Sequence, residues 1–361
     1  MKIVSVVGAR PQFIKAAAVS RALRKDNTEI LIHTGQHYDS NMSDVFFEEL
    51  SIPRPDYNLG VGSKSHGAQT GEMLQKIEEV LQAELPDALL VYGDTNSTLA
   101  GALAAAKLHI PVCHIEAGLR SYNRKMPEEI NRVMTDHISE WLFCPTDTAV
   151  RNLGKEGITR NVYNAGDVMC DTVLYYGEMA ECEYDGKNPK LNCLFSEAML
   201  PEKYYMATIH RAENTDGEQA LSEILGAFDE LESPVVFPVH PRSRELVTRL
   251  NDTAGYKNVI FIEPVSYKHM LYLVNHALKV ITDSGGLQKE AYILKTPCVT
   301  VRSETEWEET LAGGFNVLSA PDKKELINKI ILDDIDESAR KDYYGDGHAA
   351  EKIADILKGR S

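Results

Sequence analysis

Short runs of β-branched and other apolar residues alternate along the chain with segments whose apolar residues recur at helical spacing. This alternation constrains the fold more than any other feature, because it is the signature of βαβ units built around a parallel sheet. In the first half the pattern predicts strands at 2–7, 29–33, 88–92, 112–115, 142–144 and 162–165, with helices near 12–24, 40–50, 67–84, 97–108, 128–138 and 147–156. It pauses from about 172 to 201, where Gly186 and Pro189 interrupt a polar stretch. A second set then predicts strands at 205–209, 235–239, 259–262, 278–282 and 298–302, and helices near 218–231, 242–252, 267–276, 287–295 and 322–332. A length of 361 residues suits two domains better than one oversized core. The expected fold class is therefore α/β, two doubly wound Rossmann-like domains covering 1–168 and 169–345, with the ligand cleft between them.

Charge narrows the function classes. Lys plus Arg number 38 against 54 Asp plus Glu, a net charge of -16, so the mean field repels nucleic acid and anionic membranes. No run reaches the eighteen apolar residues of a membrane span. The six cysteines, Cys113, Cys144, Cys170, Cys182, Cys193 and Cys298, form no C-x-x-C pair and read as reduced thiols of a cytoplasmic protein. Cys144, in an apolar strand without an adjacent histidine, reads as a structural thiol rather than a nucleophile.

Polar residues gather where the strands end. The turns are Gly8-Ala9-Arg10-Pro11, Gly93-Asp94-Thr95 and Glu116-Ala117-Gly118 in the first half, then His210-Arg211, His240-Pro241-Arg242 and Asp283-Ser284-Gly285-Gly286. In the last of these a strand feeds a helix expected to begin at Leu287, so free N–H groups and the helix dipole offer a diphosphate seat. Ser284 can donate a hydroxyl bond, Gly285 and Gly286 permit close approach, and Glu290 can accept from ribose hydroxyls. The simpler reading is an ordinary N-cap by Asp283 or Ser284. No G-x-G-x-x-G or Walker motif is present. Asp94, Glu116 and Glu128 supply carboxylates for proton abstraction and donation, joined by His210. Arg10, Lys15, His37, Arg120, Arg132, Arg211, Arg242 and Arg302 are the candidate sources of a positive field.

Together these segments are recognisable. Gly8-Ala9-Arg10-Pro11, Gly93-Asp94-Thr95, His114-Ile115-Glu116-Ala117-Gly118-Leu119-Arg120, Met126-Pro127-Glu128-Glu129-Ile130-Asn131-Arg132, Thr282-Asp283-Ser284-Gly285-Gly286 and Tyr344-Gly345-Asp346-Gly347 resemble the non-hydrolysing UDP-N-acetylglucosamine 2-epimerase family, in family order across nearly the whole chain. The resemblance implies a fold like that of the GT-B glycosyltransferases, a last helix (about 346–361) returning to the N-terminal domain, and a homodimer. It implies reversible inversion at C2 of a UDP-linked 2-acetamido sugar without metal or other cofactor. By motif match Asp94, Glu116, Glu128 and His210 fall on catalytic positions. Arg10, Ser284, Gly285, Gly286 and Glu290 fall on UDP-binding positions and Lys15 on a substrate-site lysine, while His240 and Arg302 are further candidates for holding UDP. Which carboxylate is acid and which is base stays open.

The chain also departs from the family pattern. In Glu304-Thr305-Glu306-Trp307-Glu308, Trp307 stands where simpler members carry arginine. At the family's regulatory site Gln36 and His37 remain, but Asp39 replaces a glutamine and Glu72 an arginine, which weighs against activation by a second UDP-GlcNAc. With Asn96-Ser97-Thr98, Ile209-His210-Arg211-Ala212-Glu213-Asn214 and Gln288-Lys289-Glu290-Ala291, these changes are most similar to the branch acting on UDP-2,3-diacetamido-2,3-dideoxyglucuronate, with UDP-GlcNAc itself as the alternative. A GT-B glycosyltransferase, a hydrolysing epimerase and a non-catalytic sugar-nucleotide sensor are the competing readings.

Overall fold

The computed structural model describes residues 1–35, 50, 52–184, 190–195 and 197–359. The helix expected at 40–50, save its last residue Leu50, and Gln36, His37 and Asp39, lie outside the described residues, as does the side chain of Arg10. The chain divides into two compact units, Met1–Thr172 with Tyr343–Ser361, and Val173–Asp342.

Among the described residues the first unit carries seven strands: β1 (Lys2–Val7), β2 (Thr28–His33), β3 (Tyr57–Asn58), β4 (Ala88–Tyr92), β5 (Val112–Ile115), β6 (Trp141–Cys144) and β7 (Val162–Asn164). All pairings are parallel, in the order β3-β2-β1-β4-β5-β6-β7. The strands are apolar because helices cover the sheet: β1 and β4 bury Ile3, Val4, Val6 and Val7, and Leu89 to Tyr92. Helix Asn96–Lys107 packs its small residues Ala100, Gly101 and Ala104 onto that sheet; Gly101 leaves room for Val6, Leu89 and Val91. Helix Ala349–Lys358 lies against helix Arg10–Leu23, and its first N–H groups are capped by buried Asp171, which accepts from Ala349 and Ala350 at 3.0 and 2.7 Å.

The second unit carries β8 (Tyr205–Thr208), β9 (Val235–Pro238), β10 (Val259–Ile262), β11 (Val280–Thr282), β12 (Cys298–Thr300) and β13 (Asn316–Leu318), again all parallel, in the order β10-β9-β8-β11-β12-β13. Its core joins Ile224, Phe228, Phe237, Phe261, Ile281 and Leu326. Each sheet reverses its strand order once, between β1 and β4 and between β8 and β11. Ligands bind outside the carboxyl ends of strands at such reversals. The four loops that begin there are Gly8-Ala9, Gly93-Asp94, Ile209-His210 and Asp283-Ser284.

Several elements differ from the sequence reading. The pause expected from 172 is occupied by helix Val168–Tyr184, whose apolar residues circle the axis and so give no helical period. Strands β3 and β13 and the short helix Ala212–Thr215 carry too few residues to register as runs. Strand β11 begins at Val280 rather than 278, since Leu278 is exposed and the Lys279 ammonium turns away to cap the carbonyls of Ile330 and Leu332. The helix expected from Leu287 begins at Gly285, with Ser284 as its N-cap. All six cysteines are free thiols, and burial pushes Cys144 up to about 12.

Candidate functional site

At the reversal in the first sheet, β1 turns sharply into helix Arg10–Leu23. Pro11 suits the first helical turn, and Gln12 reaches back to the entering loop: its Oε1 accepts from the N–H groups of Gly8 and Ala9 at 2.8 and 3.1 Å. The Gln12 amide nitrogen donates to the Tyr92 carbonyl at 2.7 Å and to Thr98 Oγ1 at 3.0 Å, tying the first loop to the loop after β4. A side chain at Gly8 would collide with the Thr34 and Ser97 hydroxyls, which lie 2.8 Å apart.

Helix Arg10–Leu23 brings Lys15 to Glu116, at the end of β5, as an ion pair whose side chains retain only 12% and 9% exposure. Burial opposes the charge on Lys15, yet the fields of Glu116, Asp167 and Asp94 outweigh it and hold the ammonium above its ordinary value. Asp94 pairs with Arg132 from helix Pro127–Ile138, and Arg132 Nη1 reaches Glu129 at 3.1 Å. Arg132 is raised likewise: burial is offset by Asp94, Glu129 and Glu116. Asn131 donates to the Asp94 carbonyl at 2.9 Å and to Asn96 Oδ1 at 3.2 Å, which steadies the loop behind the carboxylate. Gly93 adopts φ +63°, and a side chain there would press on the Glu116 carboxylate. Glu116 itself has φ +71°, a left-handed conformation sparsely used by residues with side chains and concentrated at functional sites.

The structure thus brings together Asp94, Glu116 and Lys15, and adds Arg132. Glu128 stands apart from its neighbour: it is exposed, whereas Glu129 is buried and accepts from the Ser121 N–H at 2.8 Å, the Ser121 hydroxyl at 2.9 Å and the Tyr122 N–H at 3.0 Å. Burial works against the Glu129 charge, but these donors and Arg132 lower its pKa, so Glu129 braces the loop before the helix. Glu72, expected where the family carries a regulatory arginine, is paired with Lys64 and with Lys76 at 2.9 Å.

At the reversal in the second sheet, buried Asp283 accepts from the N–H groups of His210 and Arg211 at 3.1 and 2.9 Å and from Asn214 Nδ2 at 2.9 Å. The His210 ring lies with Nδ1 3.4 Å from Asp283 and is inclined 28° to the His240 ring at 5.9 Å between centroids. Asp283 is therefore the anchor of the His210 loop and Ser284 the helix cap, accepting from the Leu287 N–H at 3.4 Å. Gly285 and Gly286 open helix Gly285–Ile293, where N–H groups and the dipole favour an anion. Glu306 lies against Gly285 and is held by Arg302 at 2.8 Å. Trp307 places its indole beside Gly285 and under the ammonium of buried Lys289, 4.0 Å from the ring centroid. Glu290 is buried, with its Oε1 3.2 Å from the Tyr267 hydroxyl. Among the described residues no group of three His, Cys, Asp or Glu is placed to hold a metal, and no helix is long and apolar enough to cross a membrane.

Sequence reasoning missed Gln12, Asn131, Asp167 and Lys289 as parts of these sites. Asn131 and Lys289 stand in segments that carry the family resemblance, beside the residues singled out there, whereas Gln12 and Asp167 are marked only by lying shortly after a strand end.

Two doubly wound parallel units, one presenting paired carboxylates and cations and the other a helix-end anion seat, define an α/β protein of the GT-B-like class. Residues 21–358 match the family model described as UDP-N-acetylglucosamine 2-epimerase. The chain is 52% identical to the UDP-N-acetylglucosamine 2-epimerase homolog of Methanococcus maripaludis and 47% identical to the UDP-2,3-diacetamido-2,3-dideoxy-D-glucuronate 2-epimerase of Pseudomonas aeruginosa, each match covering 99% of both chains. The solved UDP-GlcNAc 2-epimerase of Methanocaldococcus jannaschii, in complex with UDP-GlcNAc and UDP, is similar with a TM-score of 0.83 at 41% identity, over 99% of this chain and 100% of that one. The chain belongs to the UDP-N-acetylglucosamine 2-epimerase family, and its activity is that of a UDP-sugar 2-epimerase, an isomerase.

Proposed function

We propose that the protein inverts C2 of a UDP-linked 2-acetamido sugar without net hydrolysis, with UDP-2,3-diacetamido-2,3-dideoxyglucuronate as the preferred substrate and UDP-GlcNAc as the second. The observation that carries this reading is the pairing of Asp94 with Arg132 and of Glu116 with Lys15 at one sheet reversal. Two carboxylates, each beside a cation, suit removal of the C2 proton on one face and its return on the other. The C2 proton is weakly acidic, so cleavage of the C1–O bond must share the work. UDP leaves with the bonding pair, and a 2-acetamidoglucal remains. UDP adds back to C1 once C2 is protonated on the opposite face.

Ser284, Gly285 and Gly286 hold the diphosphate at the helix N-terminus, with Arg302 adding positive charge, Arg10 and His240 as further UDP-binding residues, and Glu290 accepting from the ribose. Glu128, exposed at the first turn of its helix, and His210, steadied by Asp283, complete the proton-transfer set. The 47% identity to the Pseudomonas enzyme supports the diacetamido substrate, whose extra carboxylate demands a cation. The enzyme acts as a cytoplasmic homodimer.

Proton NMR in D2O with each UDP sugar tests the proposal. Deuterium enters C2 as the epimer forms, faster with the diacetamido-uronate. Glu116→Ala or Glu128→Ala abolishes exchange while UDP still binds, and wild-type rates in both variants would overturn the assignment. Transfer of sugar to an acceptor without C2 exchange would make the protein a glycosyltransferase.

A further inference from the structure

Behind the carboxylates lies a buried relay that the chemistry above does not touch. His114 in β5 and Asp136 in helix Pro127–Ile138 are 0% and 1% exposed. Nδ1 of His114 lies 2.7 Å from Asp136 Oδ1, and Nε2 lies 2.7 Å from the Gly93 carbonyl oxygen. A carbonyl oxygen only accepts, so Nε2 carries a proton. Burial opposes the charge on Asp136, but His114 and Arg120 hold its pKa below the ordinary carboxylate value. Asp136 Oδ1 closes the hydrogen bond at Nδ1, so the ring bonds on both sides.

The other oxygen of Asp136 accepts from the Gly118 N–H at 3.1 Å and from Arg120 Nη1 at 2.7 Å. Arg120 is in turn clamped by both oxygens of Glu156, at 2.7 and 2.8 Å. Gly93 directly precedes Asp94, and Gly118 follows Glu116 by two residues. One imidazole and one carboxylate thus grip the backbone of both loops that present the proton-transfer groups. The Glu116 loop needs gripping, because Glu116 is held at φ +71°, a conformation costly for a residue with a side chain, whereas Gly93 and Gly118 adopt +63° and +81° freely.

We propose that His114 and Asp136 are positioning residues for epimerisation: by bridging the Gly93 carbonyl to the Gly118 N–H they set the separation and orientation of Asp94 and Glu116. The inference rests on the functional reading above. It differs from a purely structural role, in which the pair would only fasten β5 to helix Pro127–Ile138.

The test compares His114→Gln and Asp136→Asn with wild type. Misplacement of a reacting group by an ångström costs about 100-fold in rate. The expected result is a loss of that size in kcat for C2 exchange, with KM and UDP affinity nearly unchanged, because the bonds of His114 and Asp136 go to the Gly93 and Gly118 loops and Arg120 and not to Arg10, Ser284, Gly285 or Gly286. Carboxyl carbon NMR should also show the titrations of Asp94 and Glu116 displaced in the folded variants. A kcat loss no larger than the loss of folded protein, with both titrations unmoved, would overturn the proposal. Should the variants fail to fold, wild-type His114 decides it: 15N NMR finds Nε2 protonated and hydrogen-bonded, and a bare Nε2 refutes the relay. A wild-type enzyme that exchanges no C2 proton with either UDP sugar overturns the functional reading instead, and the spectra still judge the relay.

Discussion

Lys15 and Glu116 stabilise each other only as a pair. Removing one partner strands the other in a site that water barely reaches, a loss of about 3–5 kcal/mol for a buried pair. Lys15→Met should therefore lower stability by an amount of that order in urea unfolding at neutral pH. The sign of its pH dependence follows from the raised pKa of Lys15. The contribution is full below the unfolded lysine value and is lost as pH rises through the higher folded value. Wild type should lose stability on that alkaline limb, and Lys15→Met should lack that part of the loss. Asp136 gives the opposite case, since its folded pKa is lowered. Its contribution is present above the unfolded aspartate value and lost as pH falls through the folded one, so Asp136→Asn should flatten the acid limb of stability measured by urea titration. None of these partnerships can be read from the chain. Lys15 and Glu116 stand 101 residues apart, and the adjacent Glu128 and Glu129 look alike until the fold exposes one and buries the other.

Loops and helix starts carry the next scale of effects. Gly93→Ala would force a side chain into a left-handed conformation and against the Glu116 carboxylate. The backbone term costs about 1–2 kcal/mol, and displacement of Glu116 should reduce kcat by about 100-fold, read by C2 exchange alongside thermal unfolding. Ser284→Ala removes the cap of helix Gly285–Ile293, costing about 1 kcal/mol, and should weaken UDP binding measured by calorimetry. Most strands were legible because β-branched runs bounded by glycine and polar turns have few alternatives; the predicted ranges 88–92, 112–115 and 259–262 coincide with β4, β5 and β10. Helix Val168–Tyr184 was not, since a helix apolar on nearly every face carries no period. Strand β13 became a strand only because β12 offers it a partner.

For the whole molecule, each unit has its own core, and the two kinds of chemistry are divided between them. A ligand that binds the native anion seat should stabilise its unit by mass action, about 2.7 kcal/mol at one hundred times Kd. Amide exchange with UDP present should thus slow in residues 284–293, and unchanged exchange there would place UDP elsewhere. The sequence by itself determined the alternation of strands and helices, the strand-end motifs and the family, because local hydrophobic period and turn chemistry are encoded within a few residues of one another. Tertiary structure alone decided the two sheet reversals, the pairing of each carboxylate with a cation, and the grip of His114 and Asp136 on two loops. Those contacts join residues far apart in the chain, and their strength comes from a burial that no local segment possesses.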